Sequence, residues 1–247
     1  MYICFYQVLI RKFKKWEQLR MEKQITIYIA GDSTAAIKLP EKRPETGWGE
    51  GFQSYFKENV KIENRAINGR STKSFINEGH LASIEKSIQP GDYLIIQFGH
   101  NDQKLEDPER GTHPYGDYQD NLFQFIQAAY QKSAYPLLLT SVTRRKFEDE
   151  SIDIMSVGDF PKAMIQFAKK HQVPVLDIHK ITNEFMGKIG NDGSKKYYLH
   201  VAPGQSENYP EGVIDNTHFN EDGAKKVAQL IIETIQQSDL PLRNLLK

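Results

Sequence analysis

The chain has 247 residues, enough for one large domain or two small ones with a sizeable core. Charged residues make up 26% and hydrophobic residues 39%, which is typical of globular rather than disordered proteins. Lys plus Arg and Asp plus Glu both number 32, so no excess charge favours a nucleic acid or an anionic membrane as partner. Cys4 is the only cysteine, which excludes an internal disulfide framework.

The first twenty residues differ from the rest of the chain. Residues 1–10 are apolar, and basic residues follow at Arg11, Lys12, Lys14, Lys15 and Arg20. A secretory signal has its positive charge before the apolar segment, and ten residues are too few to span a bilayer. We therefore predict that residues 1–20 are an extension outside the fold, that residues 21–247 form one domain, and that the protein is cytoplasmic. An amphipathic helix that packs on the domain or touches a membrane is the alternative.

From residue 24 onward, strand-like and helix-like segments alternate. We predict strands over 24–30, 61–67, 93–98, 136–141 and 173–178, and helices over 50–59, 81–88, 117–133, 159–170, 181–188 and 221–237. Because the strands read as buried and non-alternating, the pattern indicates an α/β fold with a central parallel sheet covered by helices on both faces. Residues 191–220 show little regular pattern, and a loop of that length is usually functional or disordered.

Ser33 lies just past the first predicted strand, at the sheet edge where open α/β folds bind ligands. A serine hydroxyl becomes a nucleophile when an imidazole takes its proton and a carboxylate orients that imidazole. His218 and Asp215, three residues apart in a polar turn, could supply both groups. The structural alternatives are that Ser33 caps a helix and that Asp215 only forms a turn.

Acyl transfer also needs hydrogen-bond donors for the oxyanion. Gly69 follows the second strand and can bring its backbone N–H close to a ligand, and Asn101 follows the third strand with a side-chain amide. Parallel strands would place both on the same edge as Ser33, although each is also an ordinary turn residue. The chain has no Gly-x-Ser-x-Gly elbow, no Walker phosphate loop and no histidine pair with zinc-ligand spacing.

Four short blocks, in this order along the chain, resemble the SGNH (GDSL) hydrolase superfamily. They are Gly31–Thr34, Asn68–Ser71, Gly99–Asp102 and Asp215–Phe219, and the resemblance covers nearly everything after Met21. Thr34 stands where many members have Leu, a departure that also occurs in the rhamnogalacturonan acetylesterase branch. Gly47-Trp48-Gly49 and the stretch around Tyr209 resemble that branch as well.

The resemblance implies a flavodoxin-like three-layer α/β/α sandwich without metal or cofactor. It implies removal of acetyl groups from pectic, rhamnogalacturonan-type oligosaccharides by Ser33, His218 and Asp215, with Ser33, Gly69 and Asn101 as oxyanion donors. The implied partner is a small acetylated oligosaccharide, not a nucleic acid or a membrane. A lipase-like or thioesterase member of the superfamily and a non-catalytic carbohydrate-binding protein are the alternatives.

Further residues are candidates for contact with the sugar. Aromatic side chains could stack on sugar rings, although buried aromatic residues are more often core. Arg70 could bind a uronate carboxylate through a bidentate fork, or pair with a local acidic residue. The substrate-binding candidates are Asp32, Trp48, Arg70, His100, His200 and Tyr209.

Overall fold

The computed structural model describes residues 24–247, so the predictions for residues 1–20 lie outside the described residues. A five-stranded parallel sheet has the strand order β2-β1-β3-β4-β7. Its strands are β1 (Ile25–Gly31), β2 (Val60–Asn64), β3 (Tyr93–Gln97), β4 (Tyr135–Leu139) and β7 (Val175–Leu176). Two antiparallel pairs accompany it: β5 (Phe147–Glu148) with β6 (Ser151–Ile152), and β8 (Tyr198–Val201) with β9 (Val213–Phe219).

Six α-helices are found among residues 24–247. They are α1 (Thr72–Asn77), α2 (His80–Ser87), α3 (Asp117–Gln131), α4 (Phe160–His171), α5 (Ile178–Ser194) and α6 (Glu221–Gln237). None of the described helices is long and apolar enough to cross a membrane.

The side chains of the buried strands alternate between two hydrophobic cores. Ile27 and Ile29 of β1 face one core with helices α5 and α6, and Tyr28 and Ala30 face the other with α1 to α4. This alternation is the period of two expected of a strand that is covered on both faces. The predicted three-layer α/β/α sandwich with a central parallel sheet is confirmed.

The strand order is that of flavodoxin-like sheets, in which the chain changes direction between β1 and β3. Ligands in such folds bind at the carboxyl ends of the strands beside this switch point. Ser33 follows β1 and Asn101 follows β3, so both residues lie there. The topology brings together loops that are far apart in sequence.

The helix predicted over 50–59 is wrong. Only a single 3₁₀ turn, Phe52–Tyr55, forms there. The amide of Gln53 donates to the carbonyl of Val60 at 2.8 Å and accepts the N–H of Ile62 at 2.8 Å. The side chain of Gln53 therefore pairs with the outer edge of β2 and protects that edge.

Other boundaries differ for local reasons. Helix α1 was not predicted; it begins at a capping box formed by Ser71 and Ser74. The last predicted strand shortens to β7 because Asp177 caps a helix by accepting the N–H of Lys180. That helix, α5, is longer than predicted and is kinked at Gly190, where φ is 76°.

Candidate active site

Asp215 and His218 lie on β9 at a bulge, not in a simple polar turn. In the ladder with β8, Tyr198 pairs with Phe219 and Leu199 pairs with Asp215, so residues 216–218 have no partner opposite them. The Oδ1 atom of Asp215 accepts the backbone N–H groups of Thr217 at 2.7 Å and of His218 at 2.9 Å. The bulge therefore turns the His218 ring back over the Asp215 carboxylate. This hairpin also corrects the expectation that residues 191–220 lack regular structure.

Three side chains form a hydrogen-bonded chain. The Oδ2 atom of Asp215 lies 2.6 Å from Nδ1 of His218, and Nε2 of His218 lies 2.8 Å from Oγ of Ser33. No helix begins at Ser33, so the alternative of a helix cap fails. In this arrangement the imidazole can take the hydroxyl proton while the carboxylate holds the opposite ring nitrogen.

The environment of Asp215 favours its charged form. Burial by itself would raise the pKa of Asp215, but the hydrogen bond and the charge of His218 act against it. The backbone N–H groups of His218 and Thr217 add to this effect, and the net result is a pKa well below the usual range. An ionised Asp215 can stabilise an imidazolium at His218.

The predicted oxyanion donors come from three loops. Asn101 is 5% exposed, and its Nδ2 donates to the carbonyl of Arg70 at 3.1 Å, which joins the loops after β3 and β2 and leaves its second N–H available. Within residues 24–247, the backbone N–H groups of Ser33 and Gly69 donate to no protein acceptor. Gly69 has φ of 76°, a conformation that residues with a Cβ rarely adopt.

The loop after β3 is held by tight packing. Gly99 has φ of 141°, and a Cβ there would lie 2.2 Å from Oγ of Ser141. Asp102 is fully buried and accepts hydrogen bonds from Thr72 and Thr112. Burial raises the pKa of Asp102 to about 7, although the hydrogen bonds from Thr72 and Thr112 lower it in part. These contacts fix the loop on both sides of Asn101, at Gly99 and at Asp102.

Asp32 and His100 are buried, at 0% and 3% exposed, which leaves neither side chain an open face for a sugar. The Nδ1 of His100 lies 3.0 Å from Oδ2 of Asp32, and its Nε2 lies 3.0 Å from the carbonyl of Val142. Burial by itself would raise the pKa of Asp32, but the charge and the hydrogen bond of His100 lower it. The hydrogen bonds from Thr34 lower it further, so the pKa is below its usual value overall. The pair supports the loops beneath Ser33 and corrects the prediction of sugar contacts.

Trp48 is also misassigned by the sequence prediction. Its side chain is 0% exposed, and its Nε1 donates to Oε1 of Gln97 at 2.9 Å. The ring packs against Phe52 at a centroid distance of 5.3 Å. Trp48 therefore has no free face for a sugar ring and belongs to the core.

The remaining predicted sugar-binding residues are partly exposed and already have protein partners. Arg70 forms an ion pair with Glu78 at 2.8 Å, as the structural alternative proposed. His200 lies 2.9 Å from Oδ1 of Asn216, and the hydroxyl of Tyr209 donates to the carbonyl of Lys42 at 3.2 Å. Burial raises the pKa of Tyr209, and the charges of Glu45 and Asp215 raise it further.

Sequence reasoning missed three charged residues beside the site. The guanidinium of Arg144 donates to the carbonyl of His100 and to Oγ1 of Thr217, both at 3.2 Å. Lys38 and Glu45 form a buried ion pair at 2.8 Å. In the sequence these residues look like solvated loop charges, and no spacing distinguishes them from others of their kind.

Among the described residues, no group of three or more His, Cys, Asp or Glu side chains could hold a metal ion. The expectation that the enzyme works without a metal or cofactor stays a prediction.

The model of the GDSL-like lipase/acylhydrolase family matches residues 29–226. The chain belongs to this family. Rhamnogalacturonan acetylesterase RhgT of Bacillus subtilis (strain 168) is 42% identical to it over 224 residues, which are 91% of this chain and 95% of the relative. The member described here is therefore a carboxylic-ester hydrolase, as predicted.

Solved structures share the fold of this GDSL-family chain. The crystal structure of protein YXIM from Bacillus subtilis has a TM-score of 0.73 at 22% identity and covers 89% of this chain, which spans 58% of that protein. A catalytic mutant of Axe2, an acetylxylan esterase from Geobacillus stearothermophilus, has a TM-score of 0.61 at 16% identity, covering 86% of this chain and 94% of that one. At these identities the similarity concerns the fold alone.

Proposed function

We propose that the protein removes acetyl groups from pectic, rhamnogalacturonan-type oligosaccharides through an acetyl-enzyme formed on Ser33. The observation that carries this proposal is the continuous chain of hydrogen bonds from Asp215 through His218 to Ser33. The similarity to a named rhamnogalacturonan acetylesterase over nine-tenths of the chain supports the choice of sugar.

In the first half of the reaction, Oγ of Ser33 attacks the acetyl carbonyl carbon while Nε2 of His218 takes the hydroxyl proton. The negative charge moves to the former carbonyl oxygen, where the N–H groups of Ser33, Gly69 and Asn101 stabilise it. The bond between the acetyl carbon and the sugar oxygen then breaks, and His218 gives its proton to that oxygen. The acetyl group is now bound to Ser33 as an ester.

In the second half, water attacks the acetyl-enzyme and His218 takes a proton from that water. The bond to Oγ of Ser33 breaks, the proton returns to Ser33, and acetate leaves. Asp215 stays ionised throughout and stabilises the imidazolium that forms twice in each turnover.

A group of cations near the oxyanion donors supports an anionic sugar such as a uronate. Arg110 lies next to Gly69, since its Nη1 would be 4.0 Å from a Cβ built at that glycine. Lys104 donates its N–H to the carbonyl of Asn101 at 3.2 Å, and in the described part of the chain its ammonium has no ion pair. Burial lowers the pKa of Lys104, and the charges of Arg110 and Arg144 lower it further, while Asp107 and Glu106 act in the opposite direction. Arg110 is paired with Asp107 at 2.6 Å, so Lys104 is the cation of this group that a bound carboxylate would pair with.

Acetate release from a substrate panel tests the proposal. Acetylated rhamnogalacturonan oligosaccharides and acetyl-xylan are compared with wild type, with Ser33→Ala and with Ser54→Ala, which changes an exposed serine. We expect a preference for the rhamnogalacturonan substrate, loss of nearly all activity in Ser33→Ala, and wild-type activity in Ser54→Ala. A strong preference for acetyl-xylan would overturn the sugar assignment, and an active Ser33→Ala would overturn the nucleophile.

A further inference from the structure

The ammonium of Lys38 is buried beneath the candidate active site. Its side chain is 0% exposed, and Nζ donates to the carbonyl of Ser33 and to Oδ1 of Asn68, the latter at 2.7 Å. Nζ also pairs with Oε1 of Glu45 at 2.8 Å. The three N–H donors of one ammonium are therefore all occupied, and they join the loops after β1 and β2 to the segment before Trp48.

Burying an ammonium in order to join loops costs free energy, because the charged group loses its hydration. Burial lowers the pKa of Lys38, while Glu45, and to a lesser degree Asp32 and Glu50, favour its charged form. The backbone of Lys38 is held as well: its N–H donates to Oε1 of Glu50 at 3.1 Å, and its carbonyl accepts from Arg43 at 3.2 Å. Closing the loops alone would need only apolar side chains, so the charge itself calls for an explanation.

The contacts of Lys38 lie next to the two backbone donors assigned to the oxyanion. Ser33 supplies one N–H, and its own carbonyl is bound to Lys38. Gly69 supplies the other N–H from the peptide that follows Asn68, whose side chain is bound to Lys38. The Glu45 carboxylate, the partner of Lys38, also lies 4.0 Å from Nε2 of His218.

We infer that Lys38, neutralised by Glu45, is a positioning residue that holds the N–H groups of Ser33 and Gly69 in one geometry for the oxyanion. The inference rests on the proposed role of Ser33 as nucleophile.

The test compares the double variant Lys38→Met/Glu45→Gln with the wild type in hydrolysis of p-nitrophenyl acetate. The double change avoids leaving either charge buried without its partner. We expect kcat to fall by about 10–100-fold with KM changed less than about 3-fold, because the donors act in the transition state and not on the bound ester. Lys61→Met/Glu63→Gln, which removes an ion pair between exposed Lys61 and partly buried Glu63 on β2, is the matched control and should keep the wild-type kcat.

Asn68→Ala keeps the inference testable if the double variant does not fold, because Asn68 is exposed and its loss leaves Lys38 paired with Glu45. It should lower kcat several-fold with KM unchanged. A folded double variant, or Asn68→Ala, with the wild-type kcat would overturn the inference, as would a loss that appears only in KM. Fluorophosphonate labelling separates the two proposals. If Ser33 of the wild type takes no label, the assignment of Ser33 as nucleophile is wrong. If the wild type is labelled and the variants are labelled equally well, the positioning role of Lys38 is wrong.

Discussion

The Oγ atom of Ser33 lies 2.8 Å from Nε2 of His218, although 185 positions separate the two residues in the chain. The parallel sheet makes this possible by placing the end of β1 at the switch point, and the bulge in β9 brings the imidazole to it. The two residues are held by different elements, so each part of the arrangement can be tested separately.

Asn101→Ala removes the side-chain donor assigned to the oxyanion. We expect kcat for p-nitrophenyl acetate to fall by about 10²–10³-fold, the effect of losing one such donor, with a small change in KM. Steady-state kinetics measure it, and Asn244→Ala at an exposed position is the control. A kcat within a factor of about two of wild type would remove Asn101 from the oxyanion site.

Asp215→Asn keeps the size of the side chain but replaces the acceptor of the His218 ring with an amide. The imidazole then loses the partner that fixes its tautomer, and we expect kcat to fall by about 10⁴-fold. The far-ultraviolet circular dichroism of the variant should match the wild type. Undiminished turnover would show that Asp215 does not orient His218.

The lowered pKa of Asp215 also predicts a dependence of stability on pH. Because the pKa in the folded state is below the value of about 3.9 in an unfolded chain, this group stabilises the fold above that value and the contribution is lost as pH falls. Urea unfolding at several pH values should show wild type more stable than Asp215→Asn by about 2 kcal/mol near pH 6, with the difference shrinking below about pH 4. A difference that stays constant down to about pH 2.5 would contradict the shift.

Trp48→Phe tests the assignment of Trp48 to the core. The variant loses the hydrogen bond to Gln97 and part of the ring, so we expect a loss of about 1–3 kcal/mol in the free energy of unfolding. Because the ring has no exposed face, KM for the oligosaccharide should stay at the wild-type value. A raised KM with unchanged stability would restore Trp48 as a sugar contact.

Much of the sheet could be predicted because most of its strands are short, apolar and bounded by turn residues. The helix α6 was predicted at its observed ends, since Asn220 caps it by accepting the N–H of Gly223 at 3.0 Å. The hairpin of β8 and β9 escaped prediction because only Tyr198 and Leu199 of β8 and Phe219 of β9 are buried, and a bulge interrupts its alternation. The hydrophobic periodicity of the sequence therefore does not reveal this pair of strands.

The candidate nucleophile and its partners could be located because short blocks of unusual residues mark them. For the other candidate residues, burial of the side chain decides whether it can contact a ligand. Trp48 and His100 look like ligand-binding residues in the sequence, but the core encloses both. Lys38 looks like a surface lysine in the sequence, but its contacts with Ser33, Asn68 and Glu45 hold it beneath the site, and no sequence pattern shows these contacts.

Covalent labelling is the most direct test of the central claim that His218 activates Ser33. The intact protein is treated with a fluorophosphonate, digested and examined by mass spectrometry, alongside His218→Ala. The account predicts one phosphonyl group per wild-type molecule, on the peptide that contains Ser33, and strongly reduced labelling of His218→Ala. A label on another residue, or equal labelling of Ser33 in His218→Ala, would contradict it.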